Sequence, residues 1–330
     1  MIPPAAAPAF LDDAGWKGAR ILPLAGDASF RRYFRVLGAD GRTAVLMDAP
    51  PEHEDTGPFL AIAEHLRSRG FAAPGPLASD REAGLLLLED YGDDRVGPLL
   101  AREPKREQAI YEQAITILAD LGREAPPPGL PLYDEAALER ETLLLIDYYT
   151  PALGLAPDRD SYLQAWRESW GAMLAETLAR PVLVLRDFHA DNLMVLPDGR
   201  LGLLDFQDAL AGHRAYDLVS LLQDARRDVT PKLEEAMIAL YCDRAGIEDQ
   251  DAFRAHYELL GAQRNAKIIG IFSRLFVRDG KPIYLGLQPR VWAYLERNLA
   301  HPALASMRDW FAANIPAEQR VALSATGVAG

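Results

Sequence analysis

The stretch from Val182 to Asp208 constrains the fold more than any other part of the chain. It reads Val-Leu-Val-Leu-Arg-Asp-Phe-His-Ala-Asp-Asn, followed by two apolar runs, Leu193 to Leu196 and Leu201 to Leu204. Pro197-Asp198-Gly199 joins the runs, and Asp205-Phe206-Gln207-Asp208 ends the stretch. A Pro-Asp-Gly turn between two apolar runs marks a hairpin. The hairpin brings the end of the second run back to the polar loop before the first, so Asp205 is expected beside Asn192. Asp187 and Asn192 stand five residues apart. That spacing lets one loop hold a carboxylate near a nucleophile and an amide oxygen near a cation.

Phosphoryl transfer from ATP needs this set of groups. The γ-phosphoryl must be aligned with an acceptor oxygen, a divalent metal must neutralise its oxygens, and a carboxylate must orient the acceptor hydroxyl and take its proton. Asp187 is the candidate base, and Asn192 and Asp205 are the candidate ligands of Mg²⁺. Asp and Asn also cap loops, but a carboxylate at the end of an apolar strand, returned by a hairpin, favours the catalytic reading.

The rest of the chain divides around this stretch. Residues 19 to 48 read as a β-meander with its turn at Asp40-Gly41, and a helix is expected from Pro58 to Arg69 with Gly70 as its stop. Leu85 to Leu88 fits a buried strand and runs into Glu89-Asp90-Tyr91-Gly92, a crossing point between lobes. Beyond it the spacing turns helical: Ile110, Ala114, Ile117, Leu118 and Leu121 keep one apolar face. Ser161 with Gln164 resembles a capping box opening the next helix. The expectation is an α+β, bilobal chain, with a small β-rich N-lobe over residues 1–91 and a larger helical C-lobe over 92–330.

Composition narrows the function further. A formal charge of −13, from 48 acidic and 35 basic side chains, excludes a general nucleic-acid coat and a membrane-surface binder. The single cysteine, Cys242, excludes a disulfide framework and a Cys-based zinc cluster and fits a reducing compartment. Met-Ile-Pro-Pro-Ala-Ala-Ala-Pro carries no basic leader region, and no apolar run is long enough for a bilayer. The chain is expected to be soluble and cytoplasmic, with no nucleic-acid or membrane partner. Its oligomeric partner is left open.

Arg186-Asp187 with Asn192, then Asp205-Phe206-Gln207, resembles the protein-kinase-like superfamily in spacing and order. Asp187-Phe-His-Ala-Asp-Asn192 and Ala215-Tyr-Asp217-Leu-Val-Ser220 are closer to its aminoglycoside phosphotransferase branch. Gly26 to Val36, Leu46 to Pro51, Glu141 with Asp147-Tyr148-Tyr149, and Ile269 to Leu275 are similar to the bacterial anomeric kinases of cell-wall recycling. Those enzymes phosphorylate N-acetylmuramate and N-acetylglucosamine at C1. The resemblance covers nearly the whole chain. It implies ATP and Mg²⁺ as cofactors and a sugar as acceptor, with Ser29, Arg31, Arg32, Glu89 and Tyr91 at the nucleotide and the backbone of Glu89-Asp90-Tyr91 as the hinge that reads adenine. Glu141, Asp147, Tyr148 and Tyr149 would face the acceptor sugar, and Arg264, Lys267 and Arg274 would suit an anionic substituent. The alternatives are a kinase for another hydroxylated metabolite or an aminoglycoside, or a nucleotide-binding pseudokinase.

The sequence departs from the kinase pattern at several positions. Leu185 stands where a histidine usually precedes the base by two residues, and Met47 stands where a strand lysine usually holds the α- and β-phosphates. The Gly-rich loop is reduced to Gly26-Asp-Ala-Ser29. Arg31 and Arg35 share one face of the second strand and Arg32 lies on the other; Arg32 is favoured as the replacement cation, although strand parity does not choose. Glu64, the usual partner of the lysine, would pair with an arginine or be solvated. Asp217 reads as an anchor for the catalytic loop, Asp208 as a metal helper or a cap, and His189 as a structural hydrogen-bonding residue. Arg264, Lys267, Arg274 and Arg278 fall on one helical stripe, ordinarily a solvated face and alternatively an anion site.

Overall fold

The computed structural model describes residues 1–26 and 30–324, so the expectation for Ser29 lies outside the described residues. In chain order the first elements are α1 (Ala7–Asp13), β1 (Arg20–Gly26), β2 (Arg32–Leu37), β3 (Thr43–Asp48), α2 (Gly57–Ser68), β4 (Pro76–Asp80), β5 (Leu85–Glu89), α3 (Val96–Arg102), α4 (Glu107–Leu121) and α5 (Glu135–Leu144). A π-helical turn (Leu145–Tyr149) leads into the short α6 (Thr150–Ala152) and then α7 (Arg159–Ala179). Four short strands follow, β6 (Val182–Val184), β7 (Leu193–Val195), β8 (Leu201–Leu203) and β9 (Leu210–Gly212). The chain finishes with α8 (Tyr216–Leu222), α9 (Pro231–Ala245), α10 (Gln250–Val277), α11 (Gln288–Leu299) and α12 (Ala305–Asn314).

The described residues of Met1–Lys105 and Asp191–Ala209 pack as one unit, and those of Arg106–Ala190 and Leu210–Gly330 as a second. The first holds an antiparallel sheet in the order β1-β2-β3-β5-β4. In the meander alternate residues face one core: Phe34 and Val36 of β2 and Ala44 and Leu46 of β3 pack there with Leu11 and Trp16. Gly41, at φ +84°, takes the left-handed position of the β2–β3 turn. Leu85 to Leu88 are buried at every position, so β5 is covered on both faces, as its unbroken apolar run requires.

The hairpin of β7 and β8 belongs to this first unit. Met194 lies opposite Gly202 in its register. Leu203 N–H donates to Ala72 O at 2.7 Å and Val195 N–H to Asp94 O at 2.8 Å. Where the sequence suggests one boundary after residue 91, packing thus groups residues 191–209 with the sheet.

The second unit is helical around α10, which packs on α5, α8 and α11. Gly270 lets α10 approach the backbone of the α5 end: a Cβ there would meet Leu144 C at 2.3 Å. The start of α7 corrects one local expectation. Asp158 caps it, accepting from Ser161 N–H at 2.8 Å, so Ser161 and Gln164 lie inside the first turns. In α4, Ile110, Ala114, Leu118 and Leu121 are buried as the spacing requires, while Ile115 is buried where Ile117 is only half-buried.

Candidate active site

In the helical unit the buried strand β6 runs into Leu185-Arg186-Asp187. Arg186 sits at φ +71°, a costly left-handed conformation for a non-glycine residue. Asp217 of α8 holds it there, its carboxylate accepting Leu185 N–H at 2.6 Å and Arg186 N–H at 2.8 Å. Ser220, one helical turn on, donates to Arg186 O at 3.1 Å. The Leu185 side chain is buried and apolar, so the loop is anchored through its backbone. The anchoring role read for Asp217 is what these bonds perform. Burial pushes the Asp217 carboxyl up, against the two N–H donors that favour its ionised form, to about 7.

Asp187 presents a half-exposed carboxylate. Burial works to raise its pKa, but the charges of Lys267 and Arg264 outweigh that and hold it below the usual carboxylate range. It is therefore ionised at neutral pH and able to accept a hydrogen bond from an acceptor hydroxyl. His189, two residues on, is buried, and its Nε2 lies 3.3 Å from Arg226. Burial and the Arg226 charge push its pKa down to about 3, which keeps it neutral.

Behind Asp187 the carboxylate of Glu141 gathers several donors. Arg186 Nη2 reaches it at 2.5 Å, Lys267 Nζ at 2.8 Å and Gln263 Nε2 at 3.4 Å, and the Tyr133 hydroxyl donates to it. Burial raises the Glu141 pKa, and Lys267 and Arg186 more than offset this. Sequence reasoning missed Tyr133, in the loop just before α5, and Gln263, far along the chain on α10, because neither matches a motif.

The solvated-stripe reading of α10 is corrected at its first two members. Arg264 is buried, donates to Ser220 Oγ at 2.8 Å and lies 3.9 Å from Asp187, and Lys267 is mostly buried against Glu141. Their charges face carboxylates contributed from distant parts of the chain, so solvent is not needed to stabilise them. Arg264 Nη1 and Arg274 Nε are buried without a hydrogen-bond partner among the described residues. Arg278 is exposed and pairs with its neighbour Asp279.

Two acceptor-side expectations land elsewhere. Asp147 is exposed and pairs with Arg159 at 2.5 Å, and Tyr149 is fully buried with its hydroxyl among the backbone groups of Gln319 and Val321. Both lie in the π-helical turn, whose wider winding rotates residues 145–149 out of the 100°-per-residue register of α5. Tyr148 is half-buried in the same turn.

The first unit contains a cavity of about 490 Å³ lined by Val45, Leu88, Met194 and Phe206, with Glu89 and Tyr91 on its wall and Asn192 and Asp205 at its edge. The Glu89 side chain is taken up by Arg67, at 2.5 Å, and by Gly75 N–H, at 2.9 Å. Tyr91 packs so closely on Gly202 that a Cβ there would lie 2.6 Å from the ring. Burial pushes the Tyr91 hydroxyl up to about 12.

Asp205 ends the hairpin at φ +58°, the second left-handed non-glycine residue among those described. Its Oδ1 accepts from Gln207 Nε2 at 2.8 Å, and its Oδ2 faces the Asn192 amide at 3.3 Å. A carboxylate beside a side-chain amide, with no sulfur or imidazole in the set, fits a hard cation such as Mg²⁺. Asp208 is largely exposed.

Three strand arginines were candidates to replace the absent lysine. Met47 is buried on the same face of β3 as Val45, so β3 sends no cation to the cavity. Arg31 is buried and brings Nη2 to 3.8 Å from Asp205 and 3.9 Å from Asp208. Arg32 is bonded to the buried Asp48, and Arg35 to Asp90 and Asp93. Glu64 is exposed on α2. The geometry thus brings Arg31, rather than the favoured Arg32, to the Asp205 carboxylate.

Comparison with known proteins supports the same chemistry. The model of the phosphotransferase enzyme family matches residues 20–256. The chain is 36% identical to the N-acetylmuramate/N-acetylglucosamine kinase of Caulobacter vibrioides, over 96% of this chain and 98% of that protein. It is 39% identical to the kinase of the same name from Pseudomonas aeruginosa, over 89% and 88%. Among solved structures it resembles a choline kinase from Streptococcus pneumoniae, with a TM-score of 0.56 at 15% identity over 87% of this chain and 93% of that one. It also resembles a macrolide 2'-phosphotransferase, with a TM-score of 0.56 at 15% identity over 91% and 99%. The fold is protein-kinase-like.

Proposed function

The chain belongs to the phosphotransferase enzyme family, and from that premise we propose that it transfers the γ-phosphoryl group of ATP to the anomeric hydroxyl of N-acetylmuramate or N-acetylglucosamine. The observation that carries the acceptor assignment is identity of 36% and 39%, over most of the chain, to proteins named for those two sugars. The charge around Asp187 agrees with it. Lys267 and Arg264 lend positive charge to the surroundings of the base. That charge suits the lactyl carboxylate of N-acetylmuramate, whereas a polycationic aminoglycoside would be repelled.

In this reading Asp187 accepts the proton of the anomeric hydroxyl as the sugar oxygen bonds to the γ-phosphorus and the bond to the β-phosphate oxygen breaks, releasing ADP. An anomeric hydroxyl is more acidic than an ordinary alcohol, so a carboxylate held below the usual range still serves. Glu141 positions Arg186 and Lys267 behind the base. The backbone of Glu89 to Tyr91 takes the adenine, and Arg31 takes the phosphates. Asn192 and Asp205 would hold Mg²⁺, which supplies neutralising charge to the phosphate oxygens when bound. No helix among the described residues is long and apolar enough to cross a membrane, and we place the enzyme in the cytoplasm, where ATP is available.

Incubation with ATP, Mg²⁺ and each sugar, followed by ³¹P NMR, tests the assignment. The expected product carries phosphate at C1. A product phosphorylated at C6, or turnover with an aminoglycoside alone, removes the acceptor assignment and leaves the family membership intact.

A further inference from the structure

Three side chains that this chemistry does not use converge elsewhere in the helical unit. Glu176 comes from the last turns of α7, His213 from the segment after β9 and His256 from α10. His213 Nε2 lies 3.4 Å from Glu176 Oε2, and His256 Nδ1 lies 3.0 Å from the same oxygen. The two histidines are 3% and 9% exposed. Their rings stand edge to face with centroids 5.0 Å apart. Neither of the two ring nitrogens makes a hydrogen bond of acceptable geometry, although each is buried against a carboxylate.

The cluster is compact enough to share one cation. Ligands at ~2.0–2.2 Å from a tetrahedral metal stand roughly 3.3–3.6 Å from one another. All three ligand atoms lie within 4.8 Å of one another. Glu176 is 41% exposed, which leaves a side open for water as a fourth ligand. Two imidazoles and one carboxylate form a donor set that zinc takes readily. We infer that Glu176, His213 and His256 form a binding site for a zinc-class transition metal ion, separate from the Asn192 and Asp205 pair.

Two neighbours set the strength of this site. His213 Nδ1 accepts Ala215 N–H at 3.1 Å, so the metal-free ring carries its proton on Nε2. Coordination through Nε2 moves that proton to Nδ1 and gives up the Ala215 contact. Arg214 Nε lies 3.9 Å from Glu176 Oε1 and opposes a second positive charge. Binding is therefore weaker than at a fully preformed zinc site. The ion would tie α7 and α10 to the segment that leads into α8, the helix carrying Asp217 and Ser220.

The full chain, stripped with EDTA and desalted, is titrated with Zn²⁺ in the absence of nucleotide. The expected result is one equivalent of zinc bound by calorimetry, a rise of a few degrees in Tm, and a Co²⁺ adduct with intense visible bands of tetrahedral type. Glu176→Gln, at a half-exposed position, should keep the circular dichroism of the parent and lose all three responses, as should His256→Gln. An unchanged Tm with no stoichiometric zinc in the parent, or responses of parent size in both variants, overturns the assignment.

Discussion

Arg31 places its guanidinium 3.8 Å from the Asp205 carboxylate, while Arg32, its neighbour in sequence, is bonded to Asp48. One residue of chain separates a cation beside the expected metal ligand from one that fixes the partner strand. Exchanging Arg31 for Met should raise the KM for ATP by about 10- to 100-fold, the range for losing a charge-assisted contact of about 1.5–3 kcal/mol. Arg32→Met and Arg35→Met should act chiefly on Tm. Steady-state kinetics on the three variants decides it, and an ATP effect largest at Arg32 would return the role to that residue.

The contrast between these two arginines also explains what the sequence made legible. Asn192 and Asp205 could be paired from the sequence because one hairpin connects them, and local geometry follows from local spacing. Arg31 could not be chosen, because β2 begins at Arg32 and strand alternation does not govern the residue before it. Glu141 and Lys267 meet across 126 positions of the chain, so no periodicity announces the pair. The stripe on α10 read as solvated for the same reason: the carboxylates that neutralise Arg264 and Lys267 are remote in sequence. The π-helical turn that carries Asp147 and Tyr149 is invisible to a 3.6-residue projection.

Asp187→Asn should lower kcat by about two to four orders of magnitude, the usual worth of a positioned general base, with ATP affinity close to the parent's. Calorimetry with ATP analogues and single-turnover assays separate the two quantities. Turnover within a few-fold of the parent would remove Asp187 from the mechanism.

Lys267 supports the low pKa of that base through its charge. Replacing it with Met removes a cation that favours the ionised carboxylate, so the Asp187 pKa should rise. The acid limb of the kcat profile should then move to higher pH, and activity near pH 5 should fall by a larger factor than at pH 8. A profile displaced downward equally at every pH would mean that Lys267 only packs against Glu141.

Gly202 gives the ring of Tyr91 its place on the cavity wall, with 2.6 Å between that ring and a Cβ built on the glycine. Gly202→Ala should cost about 1–3 kcal/mol, the usual range for overpacking, and should raise the KM for ATP as the ring is displaced. Adding Tyr91→Leu should recover much of the lost Tm. If the double variant were no more stable than Gly202→Ala, the contact would not be the cause.

Asp217 makes stability depend on pH in a direction opposite to that of most carboxylates. Its folded pKa, about 7, lies above the ordinary value of about 3.8, so the folded chain holds a proton that the unfolded chain has released across that interval. This contribution is complete below about pH 4 and is lost as pH rises through about 7. Its full span is a few kcal/mol, from the 1.36 kcal/mol that each pH unit represents. Asp217→Asn removes the titration while leaving one side-chain oxygen to accept from Leu185 or Arg186. Denaturant midpoints measured between pH 4 and 8 should therefore fall less steeply in the variant than in the parent, and kcat should drop because one anchor of the Asp187 loop is gone. Parallel pH profiles for the two proteins would mean that Asp217 is ionised throughout, its two N–H donors outweighing its burial.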